Sequence, residues 1–216
     1  MLKGRCLFSL LYYIFINKNK KIISMSKGFT LIELLIVIGI LAILATATIL
    51  VLNPTELFAQ ARDAQRLSDL DTLRSAISLY LTSVTGASLQ DATAPAFVCG
   101  THFGNSSLTA AATNRTAAVG EEGAARRGIR TVAGVGWLPV NFAAIPGGSP
   151  FGVLPVDPTN DGTNNYQYSC NDALKTFELN TLLQSTKYAT TDDFDGKDGG
   201  SNIAHYETGN DPALDL

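Results

Sequence analysis

The first part of the chain contains a long stretch in which apolar residues follow one another almost without interruption. Between Phe29 and Leu52 the only charged residue is Glu33, and the only other polar side chains are three threonines. A helix of these 24 residues would be roughly 36 Å long, which exceeds the thickness of about 30 Å of a bilayer's hydrocarbon core. The pattern predicts a membrane-spanning helix over residues 29–52.

The charges around the apolar run indicate its orientation. Four lysines lie shortly before the run, at Lys18, Lys20, Lys21 and Lys27, whereas the first basic residue after it is Arg62. Because basic residues remain on the cytoplasmic side of a membrane-spanning segment, we expect a single-pass protein of the inner (cytoplasmic) membrane. Its N-terminus lies in the cytoplasm and the rest of the chain lies outside.

A second helix is predicted after a break at Asn53-Pro54, since proline removes a helical hydrogen bond. From Glu56 to Val84 apolar residues recur at steps of three and four, as an amphipathic helix requires. We expect this helix within residues 53–86. The charged residues between the apolar positions predict a solvated face that consists of Arg62, Asp63, Arg66, Asp69, Asp71 and Arg74.

The remaining residues, 87–216, are expected to form a globular head that buries the apolar stripe of this helix. Residues 87–128 are rich in small and polar residues and predict a variable surface loop. Strand patterns occur later, at Gly128–Val135, Trp137–Val140, Asn165–Cys170, Lys175–Leu179 and Ala204–Thr208. Together these elements predict an α+β fold in which one long helix packs on a small antiparallel sheet.

The net charge of −3 hides an asymmetry along the chain. Six of the sixteen basic residues precede Gly28 and none of the nineteen acidic residues does, so residues 29–216 carry ten basic against nineteen acidic residues, a net charge of −9. A protein with this negative net charge binds nucleic acid poorly. We therefore expect no nucleic-acid partner and regard cations as the better-matched ligands.

The segment Lys27-Gly28-Phe29-Thr30-Leu31-Ile32-Glu33 resembles the processing site of type IV prepilins and of the pseudopilins of type II secretion systems. In that family a membrane aspartic peptidase cuts after the glycine, the new N-terminal residue is N-methylated, and the apolar helix remains on the mature protein. The resemblance implies cleavage after Gly28, methylation of Phe29 and a pilin-like head. An ordinary secretory signal would instead be cleaved beyond its apolar stretch.

Glu33 is the residue that an ordinary signal sequence would not need, because an acidic residue within the hydrocarbon costs about 2.5 to 3.5 kcal/mol. The resemblance implies that Glu33 pairs with the Phe29 amine of a neighbouring subunit, which satisfies two charges in an apolar bundle. The alternative is a tolerated glutamate whose carboxylate reaches the lipid headgroups. The family also implies partners: further copies of the chain, the prepilin peptidase, an assembly platform protein and an assembly ATPase.

The leader has two plausible starts. Counted from Met1 it includes an apolar run and a basic patch before residue 25, and is longer than the family's usual leaders. Counted from Met25 it is the short basic peptide Met25-Ser26-Lys27-Gly28, which is the form that the family prefers.

Acidic residues are concentrated in a glycine-rich loop at residues 191–202. Four oxygen-bearing side chains there, those of Asp193, Asp195, Asp198 and Asn202, are candidate calcium ligands, because closely spaced carboxylates repel one another unless a hard cation lies between them. The major pseudopilins bind calcium in a C-terminal loop, and the resemblance therefore favours this cofactor. The alternative is an acidic turn that is simply solvated.

Two cysteines remain once the leader with its Cys6 is removed. An even pair in an exported domain favours a disulfide between Cys99 and Cys170, and the alternative is two free thiols. The only histidines, His102 and His205, belong to no nucleophile or metal-ligand motif, so we expect no enzymatic activity.

The resemblance implies a structural subunit of an extracytoplasmic filament, either a type IV pilus or a type II secretion pseudopilus. The competing prediction is a monomeric, membrane-anchored surface binding protein that uses the same leader.

Overall fold

A computed structural model describes residues 28–91, 96–107 and 126–212. The two helices are α1 (Leu31–Leu52) and α2 (Pro54–Ser83), and the four strands are β1 (Gly104–Asn105), β2 (Gln167–Asn171), β3 (Thr176–Thr181) and β4 (Tyr206–Gly209). Two short elements complete the list, a 3₁₀ turn at Phe142–Ala144 and a π-helical turn at Lys187–Thr191.

The chain divides into two compact units, Met1–Val51 and Leu52–Leu216, and we call the second the head unit. The first unit contains α1 as far as Val51, and the large apolar side chains of this helix are exposed, among them Leu31, Ile43 and Val51. Residues Leu31–Ile49 are long and apolar enough to cross a membrane. This helix is apolar on all sides, and none of its candidate membrane span is buried within the chain. Such a helix suits an apolar environment.

The predicted break between the helices is confirmed at Asn53. This residue has a left-handed backbone with φ of 38°, and Pro54 follows it as the first residue of α2. Proline suits that position because the first helical N–H has no intrahelical acceptor. Leu52 therefore ends α1, and α2 begins as a separate helix.

The four strands form one antiparallel sheet in the order β1-β2-β3-β4. β2 and β3 form a hairpin in which Cys170 lies opposite Phe177, and β4 pairs with the outer edge of β3. This hairpin was predicted from the two strand patterns that flank a short polar turn. A long helix and a small antiparallel sheet in one chain confirm the α+β, pilin-like fold class.

The core of the head unit lies between α2 and one face of the sheet. Apolar residues from the second half of α2 face aromatic and aliphatic residues of β2 and β3, because side chains alternate between the two faces of a strand. Loop residues complete this core. Its fully buried apolar members include Leu70, Leu73, Ile77, Trp137, Phe142, Tyr168, Phe177 and Leu179.

The opposite face of the sheet is polar. One row of paired residues crosses all four strands and consists of Asn105, Gln167, Asn180 and Glu207. Each of the four is at least 93% buried. This row has no counterpart in the sequence analysis, because alternating polar residues predict an exposed sheet face.

The predicted solvated face of α2 is wrong for two of its six residues. Asp63 and Arg66 are fully buried, and Arg66 donates to Asp63 at 2.6 Å and to Asp157 at 2.6 and 3.0 Å. The Asp63 carboxylate also accepts the backbone N–H groups of Gln184 and Ser185. These charges are buried because they satisfy one another and tie α2 to two distant segments.

Two strand predictions are also wrong. Residues 128–135 and 137–140 form irregular backbone, with one isolated bridge between Ala133 and Asn141. The reason is local: Gly134 has a φ of 89°, and Trp137 donates its N–H back to Ile129 across a tight loop. The apolar residues of this segment reach the core from a loop.

The predicted variable loop at residues 87–128 lies partly outside the described residues, because residues 92–95 and 108–125 are not described. Its described part contains β1, which was not predicted. β1 has only two residues, and such a short strand carries no alternating pattern.

Candidate processing and assembly site

The residues around the predicted cleavage point are exposed. Gly28 and Phe29 precede α1 and belong to no helix or strand, and Phe29 is 81% exposed. A side chain added at Gly28 would meet no atom of the chain within 4 Å. The fold therefore does not require a glycine at this position.

The first turn of α1 is closed by a capping box between Thr30 and Glu33. Oε2 of Glu33 accepts the backbone N–H of Thr30 at 2.9 Å and its hydroxyl at 2.8 Å. In return, the N–H of Glu33 donates to the Thr30 hydroxyl at 3.3 Å. This reciprocal pattern satisfies two of the N–H groups that every helix start leaves without partners.

The role of Thr30 was missed in the sequence analysis, although its signal is present. A threonine followed three residues later by a glutamate, directly before an apolar run, is the sequence signature of a capping box. The structure brings Thr30 and Glu33 together, and it leaves Oε1 of Glu33 without a hydrogen bond to any described residue.

Residues 23–49 match a family model described as the prokaryotic N-terminal methylation motif. The match covers the glycine, the exposed Phe29, the capping box and most of α1. The chain carries a prepilin-type cleavage and methylation segment. This confirms the resemblance on which the prediction of a type IV pilin or pseudopilin precursor was based. No curated protein matches the chain, and no solved structure matches it.

The methylation segment includes a helix that fits a membrane anchor. Leu31–Ile49 is the one helix among the described residues that is long and apolar enough to cross a bilayer. Its two central threonines do not expose free hydroxyls, because Thr46 donates to the carbonyl of Ala42 and Thr48 to that of Leu44. Glu33 therefore remains the polar feature of this helix with an oxygen available for another partner.

Beyond the methylation segment, the structure joins Cys99 and Cys170 in a disulfide. Cys170 lies in β2 and is fully buried, while Cys99 lies in the segment before β1. Disulfides form and persist in oxidising compartments. The bridge thus connects the sheet to a segment that is distant in sequence.

The four predicted calcium ligands lie on one loop, and three of them are engaged locally. Asp198 accepts the N–H groups of Gly200 and Glu207, the side-chain oxygen of Asn202 accepts the N–H of Ala204, and Asp193 lies 3.6 Å from the ammonium of Lys197. No group of three or more Asp, Glu, His or Cys side chains among the described residues could hold a metal. In this conformation the predicted ligands do not form a calcium site.

One oxygen in this loop has no hydrogen-bond partner. Oδ1 of Asp195 is buried and accepts no hydrogen bond. Burial, together with the charge of Asp193, raises the pKa of Asp195, and burial with the charge of Asp195 raises that of Asp198. The loop therefore concentrates negative charge that a cation would relieve.

The same acidic region includes Glu207 on β4. Burial and the neighbouring carboxylates Glu178 and Asp198 raise the pKa of Glu207 to about 7. The N–H of Asn202 donates to Oε2 of Glu207 at 3.0 Å, which links β4 to the acidic loop. The protonation of Glu207 thus changes within the neutral pH range.

The two histidines lie in loops of the head unit. Nδ1 of His102 accepts the N–H of Val98 at 3.1 Å, and the ring lies against Phe97. His205 is 6% exposed and lies in the loop before β4. The methylation segment itself indicates a structural subunit.

Proposed function

We propose that the chain is a structural subunit of an extracytoplasmic filament, either a type IV pilus or a type II secretion pseudopilus. The observation that carries the proposal is the methylation segment joined to an apolar helix with one acidic side chain, Glu33. The peptidase cuts after Gly28, and Phe29 becomes the N-methylated first residue of the mature protein.

The proposed assembly step follows from the chemistry of the new N-terminus. Cleavage creates an ammonium group at Phe29, and a carboxylate and an ammonium are each costly in an apolar bundle unless they are paired. Glu33 of one copy pairs with Phe29 of another. α1 then moves from the lipid into contact with the α1 helices of neighbouring copies. This transfer costs little because both environments are apolar.

The proposal includes a location and a set of partners. Before assembly the mature subunit resides in the inner membrane, with its N-terminus in the cytoplasm and its disulfide-bonded head outside. It then enters a filament at the cell surface or in the periplasm. Its partners are other copies of the chain, the prepilin peptidase, the assembly platform protein and the assembly ATPase. The support comes from the methylation segment and from the disulfide.

Electron microscopy of material sheared from the cell surface tests the proposal, with identification of the subunit by mass spectrometry. Filaments whose subunit begins at methylated Phe29 are expected. The Glu33→Ala variant should be processed normally and form no filaments. Thr48→Ala is the matched control, because its hydroxyl bonds only within its own helix, and it should assemble as the unmodified chain does.

Two outcomes would contradict separate parts of the proposal, the charge pairing and the filament role. Filaments at normal yield from Glu33→Ala would show that the charge pairing is not used. Processed chains that remain monomeric in the membrane and form no filaments would instead indicate a membrane-anchored surface binding protein.

We further propose that calcium binds the loop at residues 191–202 after a local rearrangement. The unpartnered oxygen of Asp195 and the crowding of Asp193 and Asp198 support this proposal. A ligand that binds only the folded state raises the melting temperature. The melting temperature should therefore rise with calcium and fall with EGTA, and Asp195→Asn should lose the response; an unchanged melting temperature in the original chain would end the proposal.

A further inference from the structure

We propose that Thr30 is a positioning residue for assembly, because it holds one carboxylate oxygen of Glu33 and leaves the other for the Phe29 amine of a second copy. This inference rests on the proposed function, and it adds a residue to which that function assigns no role. Thr30 does not touch the partner itself. It acts through Glu33.

The hydrogen bonds divide the two oxygens of the carboxylate into separate roles. Oε2 accepts both donors of Thr30, at 2.9 Å from the backbone nitrogen and 2.8 Å from the hydroxyl oxygen. Oε1 has no hydrogen bond to any residue that the structure describes. An ionised carboxylate has about four acceptor positions. One Glu33 can therefore cap its own helix and still accept an ammonium donor from outside.

The capping box also removes freedom from a flexible side chain. A glutamate on an exposed helix turn samples several rotamers, and ordering it during association would weaken binding. The three hydrogen bonds with Thr30 hold Glu33 in one arrangement before any partner arrives. In addition, they keep the carboxylate partly satisfied while the subunit is surrounded by lipid.

Zero-length carbodiimide cross-linking tests the inference directly, since it joins a carboxylate to an amine only when the two are in contact. The mature chain is placed in phospholipid vesicles, and the peptide that joins Phe29 of one copy to Glu33 of another is measured by mass spectrometry. The unmodified chain should form this cross-link, and Glu33→Gln should form none.

Two substitutions at Thr30 distinguish the effect of its hydroxyl group from the effect of its side-chain shape. Thr30→Ser keeps the hydroxyl and should stay within about twofold of the original yield, whereas Thr30→Val keeps the shape and loses the hydroxyl. A lost cap hydrogen bond corresponds to about a fivefold change in an equilibrium. The Val variant should therefore lose about fivefold in the cross-link and in filaments per processed subunit, with an unchanged melting temperature of the head unit.

Thr30 is the second residue after the proposed cleavage point, so its substitution could also change cleavage by the peptidase. Leader removal is therefore measured separately. Removal of the leader is checked by intact mass, and a variant that the peptidase leaves uncut is released as the mature chain from a fusion protein. Amide hydrogen exchange in micelles supplies a second measurement: protection of the Thr30 N–H should fall in Glu33→Ala.

The possible outcomes distinguish this inference from the proposed function. The positioning role is overturned if Thr30→Val gives the cross-link and filament yields of the unmodified chain, or if protection of the Thr30 N–H is unchanged in Glu33→Ala. In either case the proposed function still stands if Glu33→Ala fails to assemble. Normal filaments from Glu33→Ala overturn the proposed pairing itself.

Discussion

At the scale of single residues, Arg66 lies at the centre of a buried cluster of charges in the head unit. Its guanidinium donates two hydrogen bonds to Asp157 and one to Asp63, and all three side chains are fully buried. The planar guanidinium matches the two oxygens of a carboxylate. This cluster connects α2 with the segment before β2.

Arg66→Ala should strongly destabilise the head unit. The substitution leaves two buried carboxylates without their cation, and breaking one partner of a buried ion pair costs about 3–5 kcal/mol. Arg74→Ala, on the exposed side of the same helix, should change stability by less than about 0.5 kcal/mol. Urea unfolding of both variants measures the difference, and similar midpoints would contradict the role of the buried cluster.

Glu207→Gln should change how stability depends on pH. The pKa of Glu207 is raised to about 7 in the folded protein from an ordinary value of 4.5, so the folded state holds the proton more tightly. This group's contribution is fully present below pH 4.5 and is lost as pH rises through about 7. With EGTA present, the original chain should lose stability between pH 5 and 8 relative to Glu207→Gln, as measured by melting temperature. Parallel melting curves would contradict this.

At the scale of elements, α2 has two halves with different surroundings. Its second half supplies Leu70, Leu73 and Ile77 to the core, whereas Leu57 and Phe58 in the first half are 49% and 67% exposed. The apolar spacing is the same in both halves. The second half packs against the buried aromatic and aliphatic residues of the core, and Leu57 and Phe58 are not part of that core.

Ile77→Ala and Leu57→Ala should therefore have very different effects. Ile77 is fully buried, and truncating a buried Ile to Ala costs about 2–5 kcal/mol. Leu57 is half exposed, so its truncation should cost no more than about 0.5 kcal/mol. Chemical unfolding provides the measurement, and equal losses would show that the two halves of α2 are packed alike.

The disulfide is the second link between elements. Replacement of both Cys99 and Cys170 by Ala should destabilise the head unit by about 4 kcal/mol, because the bridge closes a loop with a sequence separation of 71 residues. Non-reducing intact mass checks the bond, and thermal melting with and without reductant checks its effect. Two free thiols in the purified chain would contradict the bridge.

At the scale of the whole molecule, the buried apolar core of the described residues belongs to the head unit. The buried apolar core among the described residues begins at Ala59, and α1 contributes none of it. The apolar surface of α1 therefore remains available for lipid or for other copies of the chain.

A chain that consists of residues 53–216 should fold without α1. Because α1 supplies no side chain to the described core, the melting temperature should stay within about 2–4 °C of that of the full mature chain in detergent. Differential scanning calorimetry makes the comparison. A truncated chain that fails to melt cooperatively would show that α1 contributes to the folding of the head unit.

Several parts of the fold were predictable because their signals are local. The break at Asn53-Pro54, the helix after it and the hairpin of β2 and β3 follow from proline geometry and residue periodicity. β1 and the irregular segment before Pro139 were not predictable in this way. Their conformations depend on distant contacts, such as the pairing of Gly104 with Tyr168.

The candidate site divides along the same line. Gly28, Phe29 and Glu33 were predicted from a contiguous motif, and the capping role of Thr30 was also readable there. The hydrogen bond that Asp198 accepts from the N–H of Glu207 could not be predicted in this way, because Glu207 lies on β4. Contacts between residues close in sequence follow from helical geometry, whereas contacts between loops require the folded chain.

The sequence by itself determined the prepilin-type segment, the apolar helix and the two-part plan of the chain, because each is encoded in consecutive residues. Only the tertiary structure decided which charges are buried. Asp63 and Arg66 have the spacing of a solvated helix face, and their burial depends on Asp157, which lies 91 residues after Arg66. A charge can be buried only where partners converge on it, and that convergence is a property of the fold.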